Sequence, residues 1–205
     1  MASGAFAQSD ASKLKIGPLL GLGGEFDGDA EVDLGGVSFG DDIAGEDMRN
    51  TVGGLINYDT PVHKYLAFGG RFMFASFIDD ARADEDWARN WFFNFDVAPR
   101  LRYGLAQMPL EVYVTTPVGL SLQTAGEDWE DEGGVEFDTG VSWNLSVLLG
   151  ADYLFTDDIG AFVEAGWMLQ NVDWEGQTTG AFTSDVTVDG SFSQFALNLG
   201  VILPM

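Results

Sequence analysis

The 205-residue sequence contains no cysteine, a single histidine, and only 9 lysines and arginines against 33 acidic residues. Without cysteine, neither a disulfide framework nor a thiolate metal site can form. The formal net charge of -24 argues against nucleic-acid binding, because neutralising phosphates requires a basic patch. The same shortage of bases argues against docking on anionic lipid headgroups through a basic surface.

Long hydrophobic runs are also missing. No segment approaches the roughly 18 consecutive apolar residues of a membrane-spanning helix. This excludes a helical membrane protein. It does not exclude a transmembrane barrel, whose strands need only about 9–11 residues of alternating polarity.

Alternation is clearest at the end of the chain, in residues 193–205, SQFALNLGVILPM. Successive side chains of a strand point to opposite faces, so this segment has one apolar face and one small or polar face. The apolar face holds Phe195, Leu197, Leu199, Val201, Leu203 and Met205. The other face holds Gln194, Ala196, Asn198, Gly200 and Ile202.

Seven earlier segments repeat this pattern, which gives eight predicted strands. We expect them near residues 14–26, 50–58, 65–77, 91–103, 110–122, 140–155 and 160–172. The connections alternate between long acidic loops and short turns, as in an up-and-down barrel with long extracellular loops and short periplasmic turns. Aromatic residues near the predicted strand ends suit the interfacial girdles of such barrels: Phe26, Tyr58, Tyr65, Phe77, Trp91, Tyr103, Tyr153 and Phe155.

The predicted fold class is therefore all-β, an eight-stranded antiparallel up-and-down transmembrane β-barrel over residues 13–205. Residues 1–12 are interpreted as a signal-peptide remnant, because Ala5-Phe6-Ala7 resembles a small-x-small cleavage site. A flexible leader of small residues is the alternative. A soluble lipocalin-like barrel would need the opposite polarity, apolar inside and polar outside.

The sequence resembles the eight-stranded outer-membrane barrels of the OmpA and OmpX type from Gram-negative bacteria. The resemblance rests on the phrase from Tyr153 to Gly160, YLFTDDIG, and on the closing strand from Phe195 to Leu203. It implies a location in the bacterial outer membrane, contact with lipid and lipopolysaccharide, and insertion by the barrel-assembly machinery. The family usually ends on an aromatic residue, and Met205 stands in the matching position here.

Charged side chains of both signs fall on the predicted inner face, where eight strands leave little open space. They are Lys15, Glu25, Arg71, Asp96, Arg100, Arg102, Glu111, Asp152 and Glu164. The plainer interpretation is a paired, hydrogen-bonded network that fills the lumen. The alternative is a narrow ion path, or a gate that switches its salt bridges.

The sequence gives little support for catalysis. A Ser-His-acid arrangement needs a base, and the single histidine, His63, lies in a predicted periplasmic turn. We therefore predict no enzyme activity and no catalytic residues.

Carboxylates crowd the first predicted extracellular loop, and hard cations such as calcium prefer carboxylate ligands. The candidates for cation binding are Asp27, Asp29, Glu31, Asp33, Asp41 and Asp42. The EF-hand pattern is not met, since Val32 stands where its glycine would be. We expect no cofactor beyond loosely bound divalent cations that bridge to lipopolysaccharide. A solvated acidic surface is the alternative.

Two functions follow from these observations. The first is a non-enzymatic structural or interaction protein of the cell envelope that presents acidic extracellular loops, with a protein partner at these loops as one option. The second is a narrow channel, or an OmpW-like conduit, for small ions or apolar solutes. A soluble ligand-binding barrel and an enzyme rank below both.

Overall fold

The computed structural model describes residues 11–47, 50–77, 90–105, 108–126, 134–179 and 183–205, without the side chains of residues 41 and 43–47. Residues 1–10, which hold the proposed cleavage site, lie outside this range. Eleven strands are present among the described residues: β1 Lys13–Asp33, β2 Ser38–Asp47, β3 Thr51–His63, β4 Leu66–Phe77, β5 Asn90–Gly104, β6 Leu110–Thr115, β7 Val118–Thr124, β8 Val135–Phe137, β9 Gly140–Leu154, β10 Gly160–Thr178 and β11 Asp185–Pro204.

Eight wall positions close into a ring of antiparallel pairs. β3, β4 and β5 follow β1 around the wall, β6 and β7 together occupy the next position, and β9, β10 and β11 return to β1. The predicted eight-stranded up-and-down barrel is confirmed. Among the described residues, there is no helix that is long and apolar enough to cross a membrane.

The predicted fifth strand is divided in the structure. β6 ends at Thr115 and β7 begins at Val118, because Pro117 has no N–H to contribute to a ladder. The wall still pairs across this break. The backbone N–H of Thr116 donates to the Pro99 carbonyl at 3.2 Å, and that of Ser146 donates to the Pro117 carbonyl at 2.8 Å.

The outward face is a belt of apolar side chains, and the inward face is buried. Leu149 is 68% exposed and Leu120 is 59% exposed, although both lie within strands. Lys15 and Asn198 point inward and are fully buried. A soluble protein would bury the apolar face, so this distribution is that of a barrel whose outer surface contacts lipid.

Parts of the segments predicted as loops are strands. Residues 27–33 continue β1 and pair with β2, and residues 173–178 and 185–191 continue β10 and β11. We call the end with Ser12, Met205 and the short turns the short-turn end, and the opposite end the long-loop end. At about 3.3 Å per residue, these long strands rise well beyond the 9–11 residues that a membrane requires.

A β-bulge corrects the prediction for Glu25. Between Leu22 and Glu25, β1 has one residue more than β11, and Gly23 and Gly24 take positive φ values of 60° and 141°. One extra residue exchanges the two faces of a strand. Glu25 is therefore exposed on the outer face and does not belong to the lumen.

Two predicted girdle residues are also placed differently. Phe77 is 4% exposed and lies inside the barrel, because it follows the inward positions Met73 and Ala75 at a spacing of two. Phe26 turns inward after the bulge and packs against the buried apolar residues of the interior, which include Phe77. Tyr65 and Tyr103 remain exposed near the short-turn end, where their rings stack at 6.5 Å.

Candidate functional site

The lumen at the short-turn end is filled by an ion-pair network, which we call the charged plug. Asp152 is one centre of it: its carboxylate accepts from Lys15 Nζ at 2.5 Å and from Lys13 Nζ at 3.0 Å. Arg100 lies 3.6 Å from the same carboxylate. Asp152, Lys15 and Arg100 are each at most 2% exposed, so these charges compensate one another away from water.

Glu164 is the second centre of the charged plug. Its carboxylate accepts from Arg71 at 3.0 Å, from the Tyr113 hydroxyl at 2.9 Å and from Asn198 at 3.2 Å. The Arg100 guanidinium lies 3.9 Å from the centre of the Tyr113 ring. These contacts link β4, β5, β6, β10 and β11 across the lumen.

The structure brings most of the predicted lumen residues together. Lys15, Arg71, Arg100, Arg102, Glu111, Asp152 and Glu164 all belong to the charged plug. Two further members were not predicted: Lys13 is hydrogen-bonded to Glu111 at 3.0 Å, and Asp59 lies 2.7 Å from Arg100. Each lies one inward position beyond the predicted strand, so extending the alternation would have found both.

On the side of the charged plug that faces the long-loop end, a strip of buried polar side chains follows the wall formed by β5, β7, β9 and β10. One cross-strand row contains Asp96, Gly119, Asn144 and Gln170. Its neighbour contains Asn94, Ser121 and Ser142. Asn94 donates to Gln170 at 2.9 Å, and Asn94, Asn144 and Gln170 are fully buried. We call these two rows the polar strip.

Buried aromatic side chains project into the lumen beyond the polar strip. Phe77 lies 5.0 Å from Phe192, 5.9 Å from Phe92 and 6.1 Å from Trp174, measured between ring centres. We call these four residues the aromatic cluster. The Trp174 indole N–H is buried without a hydrogen-bond acceptor among the described residues.

Between the aromatic cluster and the long-loop end, the inner face of the extended strands is apolar. Phe137 and Val188 pack against it, and Val186 is 7% exposed. The outer face of the same strands is acidic. Asp173, Asp189, Asp29 and Asp42 lie opposite one another on the four neighbouring strands β10, β11, β1 and β2, and all four are exposed. We call these four residues the aspartate row.

The aspartate row perturbs its own members. A hydrogen bond with the Asp42 carboxyl, with smaller contributions from desolvation and from the charges of Asp42 and Asp189, raises the pKa of Asp29 above its ordinary value. Like charges opposite one another in a sheet destabilise it. The row is therefore a place where protons or cations would relieve repulsion.

The cation candidates do not form a closed site. Asp27, Asp29 and Glu31 are exposed on the outer face, Asp33 is half-buried at the hairpin tip, and the side chain of Asp41 lies outside the described part. Among the described residues, no group of three or more His, Asp or Glu side chains is arranged to hold a metal ion. His63 lies exposed at the short-turn end, where its Nδ1 accepts from the Tyr65 amide at 3.4 Å.

Solved structures share this architecture, whereas no protein-family model and no curated protein matches the sequence. The outer membrane protein OprG from Pseudomonas aeruginosa superposes with a TM-score of 0.70 at 11% identity, covering 98% of each chain. The outer membrane protein AlkL, solved in lipid bilayers, superposes with a TM-score of 0.58 at 14% identity, covering 100% of this chain and 94% of the other. The chain therefore has the fold of the small integral outer-membrane β-barrel proteins.

Proposed function

We propose that the protein is a non-enzymatic outer-membrane barrel that admits small apolar molecules from the extracellular side into the lumen at its long-loop end. The observation that carries this proposal is the apolar inner face of the extended strands, which leads without a polar interruption from Val186 through Val188 to the aromatic cluster. A buried apolar surface inside a barrel is typical of sites for apolar ligands.

The charged plug supports the same direction of entry. It closes the opposite end with paired and buried charges, so an apolar molecule would meet a high barrier there. The proposal assigns no catalytic residue. A histidine base would have to lie near the ligand, and His63 lies at the far end of the barrel.

A charge placed on the inner face tests this proposal. We expect Val188→Asp to weaken the binding of naphthalene by about tenfold or more, because a carboxylate would be buried against the aromatic cluster. Thr187→Asp, the next residue on the opposite face, should leave binding unchanged. Binding would be measured by tryptophan fluorescence in nanodiscs of neutral lipid. Equal affinities for the two variants, or no binding by the unmodified protein, would contradict the proposal.

The aspartate row favours a second candidate, an interaction role at the cell surface. Divalent cations bound there would bridge the protein to phosphate groups of neighbouring lipopolysaccharide, and they would offset the repulsion between facing carboxylates. Outer-membrane lipid and the barrel-assembly machinery are the further partners proposed with this role.

Replacing two members of the aspartate row tests the second candidate. We expect the double variant Asp29→Asn with Asp189→Asn to lose calcium-dependent retention of lipopolysaccharide in a sedimentation assay with detergent-solubilised protein. Asp157→Asn, at an exposed aspartate in the short turn between β9 and β10, serves as the matched control. Retention that does not depend on calcium, or that the double variant keeps, would remove this role.

A further inference from the structure

Asp96 is the feature of the lumen that the preceding functions leave unexplained. It is 6% exposed, and neither carboxylate oxygen accepts a hydrogen bond of ordinary geometry from the described residues. The Asn144 amide is its polar neighbour on the polar strip. A buried carboxylate that lacks well-aligned donors is costly, so such a group in a folded protein points to a partner that supplies them.

The charged plug does not provide that partner. Arg71 is the cross-strand neighbour of Asp96, but its guanidinium is directed to Glu164 at 3.0 Å. Within the described part of the chain, no lysine or arginine lies within 4.0 Å of the Asp96 carboxylate. Asp96 therefore lies buried on the inner face without an ion-pair partner among the described residues.

The surroundings of Asp96 add hydrogen-bond acceptors. Asn94 Oδ1 and Asn144 Oδ1 are buried without a donor among the described residues, and Asn144 Nδ2 and Gln170 Nε2 are buried there without an acceptor. Gly119 stands between Asp96 and Asn144 in the row, and a Cβ there would lie 2.7 Å from Asp96 Oδ1. The missing side chain leaves this space to the carboxylate. A ligand that carries several N–H donors and a positive charge matches the acceptors of this set.

The aromatic cluster defines the rest of such a ligand. Along β5, the inward positions run from Phe92 through Asn94 to Asp96, which places the carboxylate about 13 Å along the strand from the Phe92 level. Leu19, Met73 and Met168 are buried apolar residues of the same interior. An apolar body of a few carbons or one ring would therefore contact apolar side chains while its charged end reaches Asp96.

The long-loop end favours the approach of cations. Its outer face carries Asp173, Asp189, Asp29 and Asp42, whereas the described lysines and arginines lie in the charged plug or, for Lys64, in a short turn at the other end. A surface with an excess of negative charge raises the local concentration of cationic solutes. This preference is independent of the contacts inside the lumen.

We propose that the molecule admitted by the barrel is a small amphipathic amine, whose ammonium group binds Asp96 on the polar strip and whose apolar body packs on the aromatic cluster. This inference rests on the proposed uptake of apolar molecules and specifies the chemical class of that ligand. The ammonium donates to the Asp96 carboxylate and to the amide oxygens of Asn94 and Asn144. No covalent step is involved.

Three probes that differ in one group test the proposal on the unmodified protein in nanodiscs of neutral lipid. Phenylbutylamine, phenylbutanol and phenylbutyrate share a ring and a carbon chain and differ in the charge of the end group. By isothermal titration calorimetry we expect the amine to bind at least about tenfold more tightly than the alcohol, since a buried charge-assisted hydrogen bond is worth at least one such factor. We expect the carboxylate to bind most weakly.

Asp96→Asn then identifies the residue. It removes the charge while keeping the shape of the side chain. We expect it to weaken the binding of phenylbutylamine by at least about tenfold and to leave the binding of phenylbutanol unchanged. Asp157→Asn is the control, because it removes one exposed charge far from the lumen. The heat-dependent gel mobility of each variant shows that the barrel is closed.

The outcomes separate this inference from the function on which it rests. If the three probes bind equally, or if Asp96→Asn binds the amine as the unmodified protein does, the ammonium site is wrong and uptake of apolar molecules stands. If none of the probes and no naphthalene binds, both fail. Should Asp96→Asn not fold, the ranking of the three probes on the unmodified protein still decides.

Discussion

Asp152→Asn is expected to lower the free energy of unfolding by about 3–5 kcal/mol, the usual cost of removing one partner from a buried ion pair. Asp152 compensates Lys15 at 2.5 Å and Lys13 at 3.0 Å. Lys13 retains Glu111 in the variant, whereas fully buried Lys15 retains, among the described residues, only Asp59 at 3.8 Å as an ion-pair partner. The loss arises from the charge left on Lys15.

Urea unfolding in lipid vesicles, followed by tryptophan fluorescence, measures this loss. Asp157→Asn is the matched control and should change stability by less than about 0.5 kcal/mol, since its side chain is exposed. Adding Lys15→Met to Asp152→Asn should recover much of the loss, because the uncompensated charge is then removed as well. A loss below about 1 kcal/mol for Asp152→Asn would show that the charged plug is not a tightly coupled network.

The second large effect concerns the outer surface. Val97→Arg should lower the stability of the membrane-inserted barrel by about 2–4 kcal/mol, because Val97 lies midway along the apolar outward face of β5 and would place a charge in hydrocarbon. Tyr103→Arg, on the same face near the short-turn end, should cost about 0–1 kcal/mol. Both positions are more than half exposed, at 57% and 56%.

The difference between these two variants is the informative quantity, and the same unfolding experiment measures it. On a surface in contact with water, both arginines would be nearly neutral, so the depth dependence is specific to lipid. Equal stabilities of Val97→Arg and Tyr103→Arg would contradict the membrane-facing assignment of the belt.

The alternation of inward and outward side chains in the membrane-spanning part could be predicted from the sequence, because each residue there faces either lipid or the lumen. Phe93, Phe95 and Val97 alternate with Asn94 and Asp96, and no pairing partner is needed to interpret them. The long-loop end was not readable in this way. Segments such as residues 27–33 are rich in aspartate and glycine, a composition typical of loops, and become strands only because β11 and β2 pair with them.

Position along the lumen could be predicted only in part. Parity placed Arg71 and Glu164 inside, but it could not show that they form a pair at 3.0 Å while Asp96, the cross-strand neighbour of Arg71, lacks an ion-pair partner among the described residues. That choice depends on the three-dimensional arrangement of side chains from opposite walls. The reversal at Glu25 depends likewise on the register between β1 and β11.

The bulge at Gly23 and Gly24 also marks a level along the barrel relative to the bilayer. Below it, β10 and β11 turn apolar residues such as Trp167 and Phe195 outward; above it, they turn Asp173 and Asp189 outward. β1 reaches the same result by inserting one residue, which sends Asp29 outward at the level of Asp189. All three strands thus change their outer chemistry at one height, and that height marks the plane where the hydrocarbon of the bilayer gives way to water.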